Sequence, residues 1–477
     1  MKIVHVHTRT LLWFSLLSLI VVLAACNVPF SGQASSTPTA TPADTITPTS
    51  LATGVASTPT TVTNGADWTM YHANATHTGY LANIPDPKKL TTAWNVRLDG
   101  AVYAEPLVVA GHVIVVTEGD SIYSLDAQTG QVRWHTNVGQ PVPQSTLPCG
   151  NIDPLGITST PVYDPATHLV FAVAEISGPS HILVGLNVDT GKVQMRRTVD
   201  LPGMDARAHQ QRSALALSHG MVYIAYGGLA GDCSDYRGTI VAARTDGQGS
   251  LLSYIVPTAR EAGIWAPSGP IIDAAGNLYV AVGNGASTAG AWDHSDSVLK
   301  LSPALQLLDA FAPVQWAQEN ATDADLGSMS PALLPGGLIY TDGKGGTGYL
   351  LHADALGGIG GQANSMTVCE AFGGTAQVGS VLYVPCVGGL RQLTIGPGTQ
   401  MKLGWQAPSQ VIGSPVVGGH TLYCLSAGGS LYAFDATSGK VIATLPVGTV
   451  SRFATPTLYA RQIFVGTFTG IVSVNIG

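Results

Sequence analysis

From residue 66 onward, short apolar stretches alternate with polar positions at a period of two, broken every few residues by Gly, Asn or Asp turns. That pattern predicts short β-strands grouped in units, with fully buried strands beside half-buried ones. Within 102–138 the sequence reads EPLVVAGHVIVVTEGDSIYSLDAQTGQVRWHTNV: alternating strands, a Gly turn, a Leu-Asp-Ala-x-Thr-Gly segment and a Trp strand. Versions follow at 156–199 and 412–447, and weaker ones at 210–256, 263–312, 325–361 and 366–407. The last unit, 451–476, holds three strands and then stops. A fourth strand is available upstream at 90–98 (LTTAWNVRL), where Trp94 takes the place of Trp134 and Trp405 in their units. Eight units with a spacing of about 48 residues fit four-stranded blades. Pairing an N-terminal strand with the last unit satisfies backbone groups that two separate β domains would leave at an open edge. The expected fold is all-β, an eight-bladed β-propeller closed by an N-terminal strand.

Composition narrows the function classes. Of 477 residues only 10% are charged and 57 are Gly, where soluble domains carry roughly 25% charge. Scarce Lys and Glu argue against long coiled coils. A net charge of −8 leaves no basic footprint, so no nucleic acid partner is expected. Mean hydropathy is positive, yet beyond residue 26 no run approaches the roughly 20 apolar residues of a membrane helix.

The beginning of the sequence differs from the rest. Lys2 and Arg9 precede a 15-residue, largely apolar run, Leu11 to Ala25, of secretory-signal length. It ends in Leu23-Ala24-Ala25-Cys26, which resembles the lipobox of bacterial lipoproteins. That resemblance implies a signal peptide over 1–25, lipidation of Cys26 with palmitate among the acyl chains, and cleavage before it. Residues 26–65 read as a linker. From 27 to 65, 21 of 39 residues are Ser, Thr or Pro and one (Asp44) is charged, too little apolar area to offset ordering. The domain then spans 66–477. The expected location is the extracytoplasmic side of a cell membrane, touched through the lipid anchor alone, and the expected state is a monomer.

The Leu-Asp-Ala-x-Thr-Gly-x-x-x-Trp pattern, most complete at 125–134, resembles the repeats of pyrroloquinoline-quinone-like (PQQ-like) eight-bladed propellers. The lead-in Asp67-Trp68…Tyr71-His72…Gly79-Tyr80 is similar to theirs as well. That superfamily includes calcium- and quinone-dependent alcohol dehydrogenases and non-catalytic lipoproteins that act as assembly scaffolds. In the enzymes a Trp stacks on the quinone, and a Glu and an Asn share calcium with it. An Asp takes the alcohol proton, and a Lys or Arg polarises the quinone. Calcium suits this role as a hard Lewis acid with oxygen ligands, and the carboxylate suits proton abstraction. On this resemblance Trp265 (GIWAPSG) is the stacking Trp and Asn284 the calcium ligand. Asp325, with Asp323 beside it, is the catalytic base, and Lys344 (GKGGTGYLL) the cationic cofactor-binding residue.

Departures from that pattern weigh against the chemistry. In Gly231–Gly238 (GDCSDYRG) Arg237-Gly238 is kept, but Cys233 holds the Glu position, leaving Asp232 or Asp235 as substitutes. No adjacent Cys-Cys pair is present, and Ala324 stands where a Trp-Asp would precede the base. Local turn chemistry explains Asn284-Gly285 and the Gly-rich 343–348 equally well.

The remaining cysteines fit an exported domain, with expected disulfides Cys149–Cys233 between long loops and Cys369–Cys386 flanking a hairpin. Cys424, in a strand pattern, is expected to pack as a small apolar side chain. No CxxC or HxxxH spacing suggests zinc. Asp293-His294-Ser295-Asp296 is a polar loop, since adjacent residues cannot present a triad. Glu105 and Glu118 are candidates to face a central channel as a carboxylate pair.

Two functions follow. The first is a surface-anchored, non-catalytic binding or scaffold propeller with no cofactor, whose partner is a protein, a glycan or a small molecule. The alternative is a PQQ- and calcium-dependent dehydrogenase of alcohols or sugars using Trp265, Asn284, Asp325 and Lys344.

Overall fold

A computed structural model describes residues 65–477; the expected signal peptide, Cys26 and the linker up to residue 64 lie outside the described residues. Within them the alternating pattern becomes eight sheets of four or five strands. The first blade shows how the pattern is used. Its three inner strands, Leu107–Val109, His112–Val116 and Ser121–Asp126, are buried almost throughout. Its outer strand, Val132–Asn137, alternates exposed and half-buried positions. Inner strands are covered on both faces by neighbouring blades, so nearly every side chain there is apolar or small. That is why the domain has so little room for charge.

The ring closes as the unit count predicts. Leu90–Arg97 pairs antiparallel with Gly470–Ile476, in register from Leu90↔Ile476 to Arg97↔Gly470 across a bulge near Trp94. This strand completes the eighth sheet, whose other members are Thr457–Tyr459, Gln462–Thr467 and Gly470–Ile476.

One contact recurs between blades. Trp94, Trp134 and Trp405 each donate an indole N–H to a carbonyl of the next blade: Ala127 at 3.1 Å, Val188 at 2.8 Å and Ala436 at 3.0 Å. The glycine of that blade's x-Thr-Gly or x-Ser-Gly turn (Gly130, Gly191, Gly439) lies flat against the indole. The Trp and the turn glycine are therefore two halves of one inter-blade joint, which explains their co-occurrence in the repeat.

Two features depart from the simple four-strand unit. The fourth blade gains a fifth strand, Gly358–Ile359, parallel to Leu307–Ala312, so the fifth blade takes Asn364–Thr367 as its outer strand. Gly357, Gly358 and Gly360 all have positive φ, which lets the chain double back there. A helix, Trp316–Thr322, follows the fourth blade and ends at Asp323 in the left-handed region.

Residues 67–81 cross one mouth of the central channel. Trp68 exchanges backbone hydrogen bonds with Val108 at 2.7 and 3.0 Å. The carbonyls of Thr69, Ala75, Thr78 and Gly79 accept from Tyr163, Ile272, Gln377 and Val417 at 2.7–2.8 Å. Tyr80–Leu81 then pairs parallel with the inner strand Val416–Gly418 of the seventh blade. Five blades are thus tied to one floor, with Tyr71 and His72 buried and stacked at 4.2 Å.

The joint is testable at Gly191. Its φ is +67°, and an added Cβ would lie 2.5 Å from the Trp134 ring. Gly191→Ala should lower stability by about 1–3 kcal/mol through left-handed strain and steric overlap. Gly178→Ala, also at positive φ but with open space around it, should cost less in thermal unfolding. Equal melting temperatures for the two variants would contradict the joint.

Candidate functional site

The channel mouth opposite the floor is built from loops that precede the inner strands. Arg212, Trp265, Phe372 and Arg452 lie four to six residues ahead of strands beginning at Ala216, Ile271, Ala376 and Thr457. Each loop rises from the blade edge and turns toward the axis, so residues at this offset converge although they are far apart in sequence. Together with Asn284, Lys344 and Phe453 they line a cavity of about 290 Å³.

Trp265 is held by glycines. A Cβ on Gly227 would meet its Cβ at 2.6 Å, and one on Gly283 would meet its indole nitrogen at 3.1 Å. The ring carries cations over its faces, with Lys344 Nζ at 5.5 Å and Arg212 Cζ at 5.8 Å from its centroid. Phe372 lies 6.3 Å from it, centroid to centroid. Both disulfides support this site. Cys149 is bonded to Cys233, with Cα atoms 6.2 Å apart, beside the lining residues Asn151 and Asp232. Cys369 is bonded to Cys386, with Cα atoms 5.6 Å apart, and pins the loop that carries Phe372.

Three residues singled out by the family resemblance, Trp265, Asn284 and Lys344, therefore meet in one cavity. Asp325 is fully buried next to it and touches the site through Lys344, whose ammonium is 3.0 Å from Asp325 Oδ2 and 2.5 Å from Asp323 Oδ1. Burial pushes the Asp325 carboxyl up to about 6, with Lys344 opposing the rise.

These residues do not fit a calcium ion. The position matching the family's Glu is Cys233, and its sulfur is committed to Cys149. Asp232 accepts the Tyr236 hydroxyl at 2.6 Å. Asp325 is already matched by a cation, and among the described residues no group of three or more His, Cys, Asp or Glu side chains is placed to hold a metal. Calcium takes six to eight oxygen ligands. Here Arg212 and Arg452 instead bring unmatched positive charge to the space, beside a Lys344 already paired with Asp323 and Asp325.

Arg212, Phe372, Arg452 and Phe453 escaped the reading of the sequence. Their common signal is the offset from each inner strand, which becomes informative only once strand starts are known. The other candidates lie elsewhere. Glu105 belongs to the floor, accepting the His72 N–H at 2.8 Å, while Glu118 accepts the Gly156 N–H at 2.7 Å near the opposite mouth, so they form no pair. In the 293–296 loop Ser295 donates to Asp293 at 2.6 Å and His294 meets Tyr254 at 3.3 Å, a local turn without triad geometry. Cys424 is buried in its strand.

A buried acidic network stands behind the site, between the first and second blades. Burial, with Glu175 adding repulsion, pushes the Glu118 carboxyl up to about 8. Burial together with Glu118 and Glu175 does the same to Asp120. Burial opposes charge on His181, but Glu175 and Asp200 outweigh it and lift the imidazole to about 10; Nδ1 is 2.5 Å from Asp200 Oδ1.

Comparison with known proteins agrees with this architecture. Residues 86–297 match the family model described as outer membrane protein assembly factor BamB. Polyvinylalcohol dehydrogenase of Sphingopyxis sp. (strain 113P3) is 26% identical over 245 residues, 46% of this chain and 34% of that enzyme. The match thus spans about a third of that relative's length. Among solved structures, quinohemoprotein alcohol dehydrogenase ADHIIG from Pseudomonas putida HK5 superposes with a TM-score of 0.67 at 13% identity, covering 87% of this chain and 81% of that one. BamB from Moraxella catarrhalis gives 0.55 at 12%, covering 81% and 99%. At such identities the structural likeness shows the fold alone, an eight-bladed β-propeller.

The acidic network sets the pH dependence of stability. Unfolding returns Glu118 and Asp120 to ordinary values near 4.5 and 3.8, so the unfolded chain gains as pH rises from there toward 8. The His181 contribution is complete below 6.5 and fades as pH approaches 10. Both act in one direction. The melting temperature should be several degrees lower at pH 9 than at pH 6, and Asp120→Asn should recover part of the loss at pH 9. A melting temperature that rises over this interval would contradict the assignment.

Proposed function

We propose that the chain is a binding propeller, displayed on the extracytoplasmic side of a membrane by a lipid on Cys26. It takes its ligand at the channel mouth and runs no calcium–quinone redox reaction. One observation carries the reading: the mouth gathers aromatic rings and cations, while the position matching the metal-binding Glu is consumed by a disulfide. A floored channel with one lined mouth suits ligand capture. The similarity to the BamB family model supports a non-catalytic role, since fold alone does not carry activity. Two disulfides support an oxidising compartment, and among the described residues no helix is long and apolar enough to cross a membrane.

The alternative, a PQQ- and calcium-dependent dehydrogenase, draws on the convergence of Trp265, Asn284 and Lys344 in that cavity. A direct assay separates the two. Full-length protein in detergent, supplied with PQQ and Ca²⁺, should reduce no dye above the cofactor blank with ethanol, glucose or polyvinyl alcohol. Turnover that disappears in Asn284→Ala would overturn the binding reading. For the anchor, Cys26→Ser should abolish palmitate labelling and move the protein from the membrane to the soluble fraction. Labelling that survives the substitution would refute lipidation at Cys26.

A further inference from the structure

We propose that the ligand of the channel mouth carries a doubly charged oxyanion, read by Arg212 and Arg452; this rests on the binding reading above. Neither arginine is among the residues assigned by family resemblance, and their arrangement is specific to the loops of the third and eighth blades.

The two guanidinium groups are positioned by aromatic faces. Arg452 Cζ sits 4.1 Å from the Phe372 centroid and 5.4 Å from that of Phe453. Arg212 Cζ sits 4.7 Å from Phe453 and 5.8 Å from Trp265. Phe453 therefore lies between the two cations, and Trp265 continues the row to Lys344 at 5.5 Å. Ring contacts hold a guanidinium plane while leaving its N–H edge free to donate.

The charges differ in how they are matched. Lys344 is neutralised by Asp323 and Asp325. Among the described residues, by contrast, neither Arg212 nor Arg452 has a carboxylate within 4.0 Å or donates a side-chain hydrogen bond to the protein. The acid acting on Arg212 through space is Glu118, which burial keeps protonated up to about 8. Glu370, exposed on its loop, acts on Arg452 through space only. Burial lowers the pKa of Arg212 to about 10, so the guanidinium pays for partial desolvation yet stays charged at neutral pH. Arg212 is half-buried without a protein partner, which is costly, while Arg452 beside it is exposed; an anion seated between them removes the cost at Arg212 and gives Arg452 a partner. Two unmatched cations call for two negative charges, and forked N–H donors favour oxygen acceptors held bidentately. The cavity, about 290 Å³, limits what enters to a small molecule or the charged end group of a larger one.

Phosphate or sulfate groups and paired carboxylates share this chemistry, and calorimetry on the full-length protein in detergent tests it. Probes are inorganic phosphate, sulfate and phthalate, with benzoate as the singly charged control. At least one dianion should bind saturably, at least tenfold more tightly than benzoate. Arg212→Gln and Arg452→Gln should each weaken it at least tenfold, and Arg452→Lys should not restore it. Arg207→Gln, an exposed arginine paired with Asp205, should leave binding unchanged. Melting temperatures establish that the variants fold. Absence of saturable binding by every dianion, or equal binding by Arg212→Gln/Arg452→Gln, would overturn the proposal. Those results leave the binding reading intact; that reading falls instead with quinone-dependent turnover.

Discussion

The eighth sheet supplies three strands from the end of the sequence and borrows its fourth from residues 90–97. A propeller blade that lacks its outer strand leaves a row of unpaired N–H and C=O groups, and the ring has no other means of covering them. Pairing from Leu90↔Ile476 to Arg97↔Gly470 joins segments nearly 400 positions apart and fixes the first blade against the last. Trp94 strengthens the seam, because its indole docks on Gly130 and Ala127 of the first blade as Trp134 and Trp405 dock on theirs. The convergence of Arg452 from the eighth blade with Arg212 from the third presupposes this closure.

Closure also explains how a site arises from loops. Inner strands are buried on both faces, so chemistry is confined to the turns at the two channel mouths. One mouth is floored by residues 67–81, tied by backbone hydrogen bonds to five blades. The other receives residues projected ahead of the inner strands, held by glycines beneath Trp265 and by two disulfides at its rim. A cavity lined with rings and unmatched cations suits capture of an anion better than coordination of a metal.

Much of this architecture is legible in the sequence because it repeats. The Thr-Gly turn and its partner Trp recur with fixed spacing, which made the unit count, the truncated last unit and the role of Trp94 readable. The two expected cysteine pairings form, one between long loops and one across a hairpin, although sequence alone does not fix connectivity. Less visible is what does not repeat. The strand Gly358–Ile359 joins a neighbouring blade, a choice made by three positive-φ glycines and by tertiary packing. The floor contains no periodic signal, since its hydrogen bonds go to strands spread over much of the chain. Trp265, Asn284 and Lys344 were found through family resemblance, whereas Arg212, Phe372, Arg452 and Phe453 have no local motif. Their meaning lies in a shared offset from strands whose starts only the fold reveals.

We propose a channel mouth built for an anion and not for calcium. Metal content measured by mass spectrometry, after equilibrating full-length protein with millimolar Ca²⁺ and PQQ and removing free ions, addresses it most directly. Calcium should stay far below one equivalent per chain and be unchanged by Asn284→Ala. One tightly held equivalent that is lost in Asn284→Ala would contradict it.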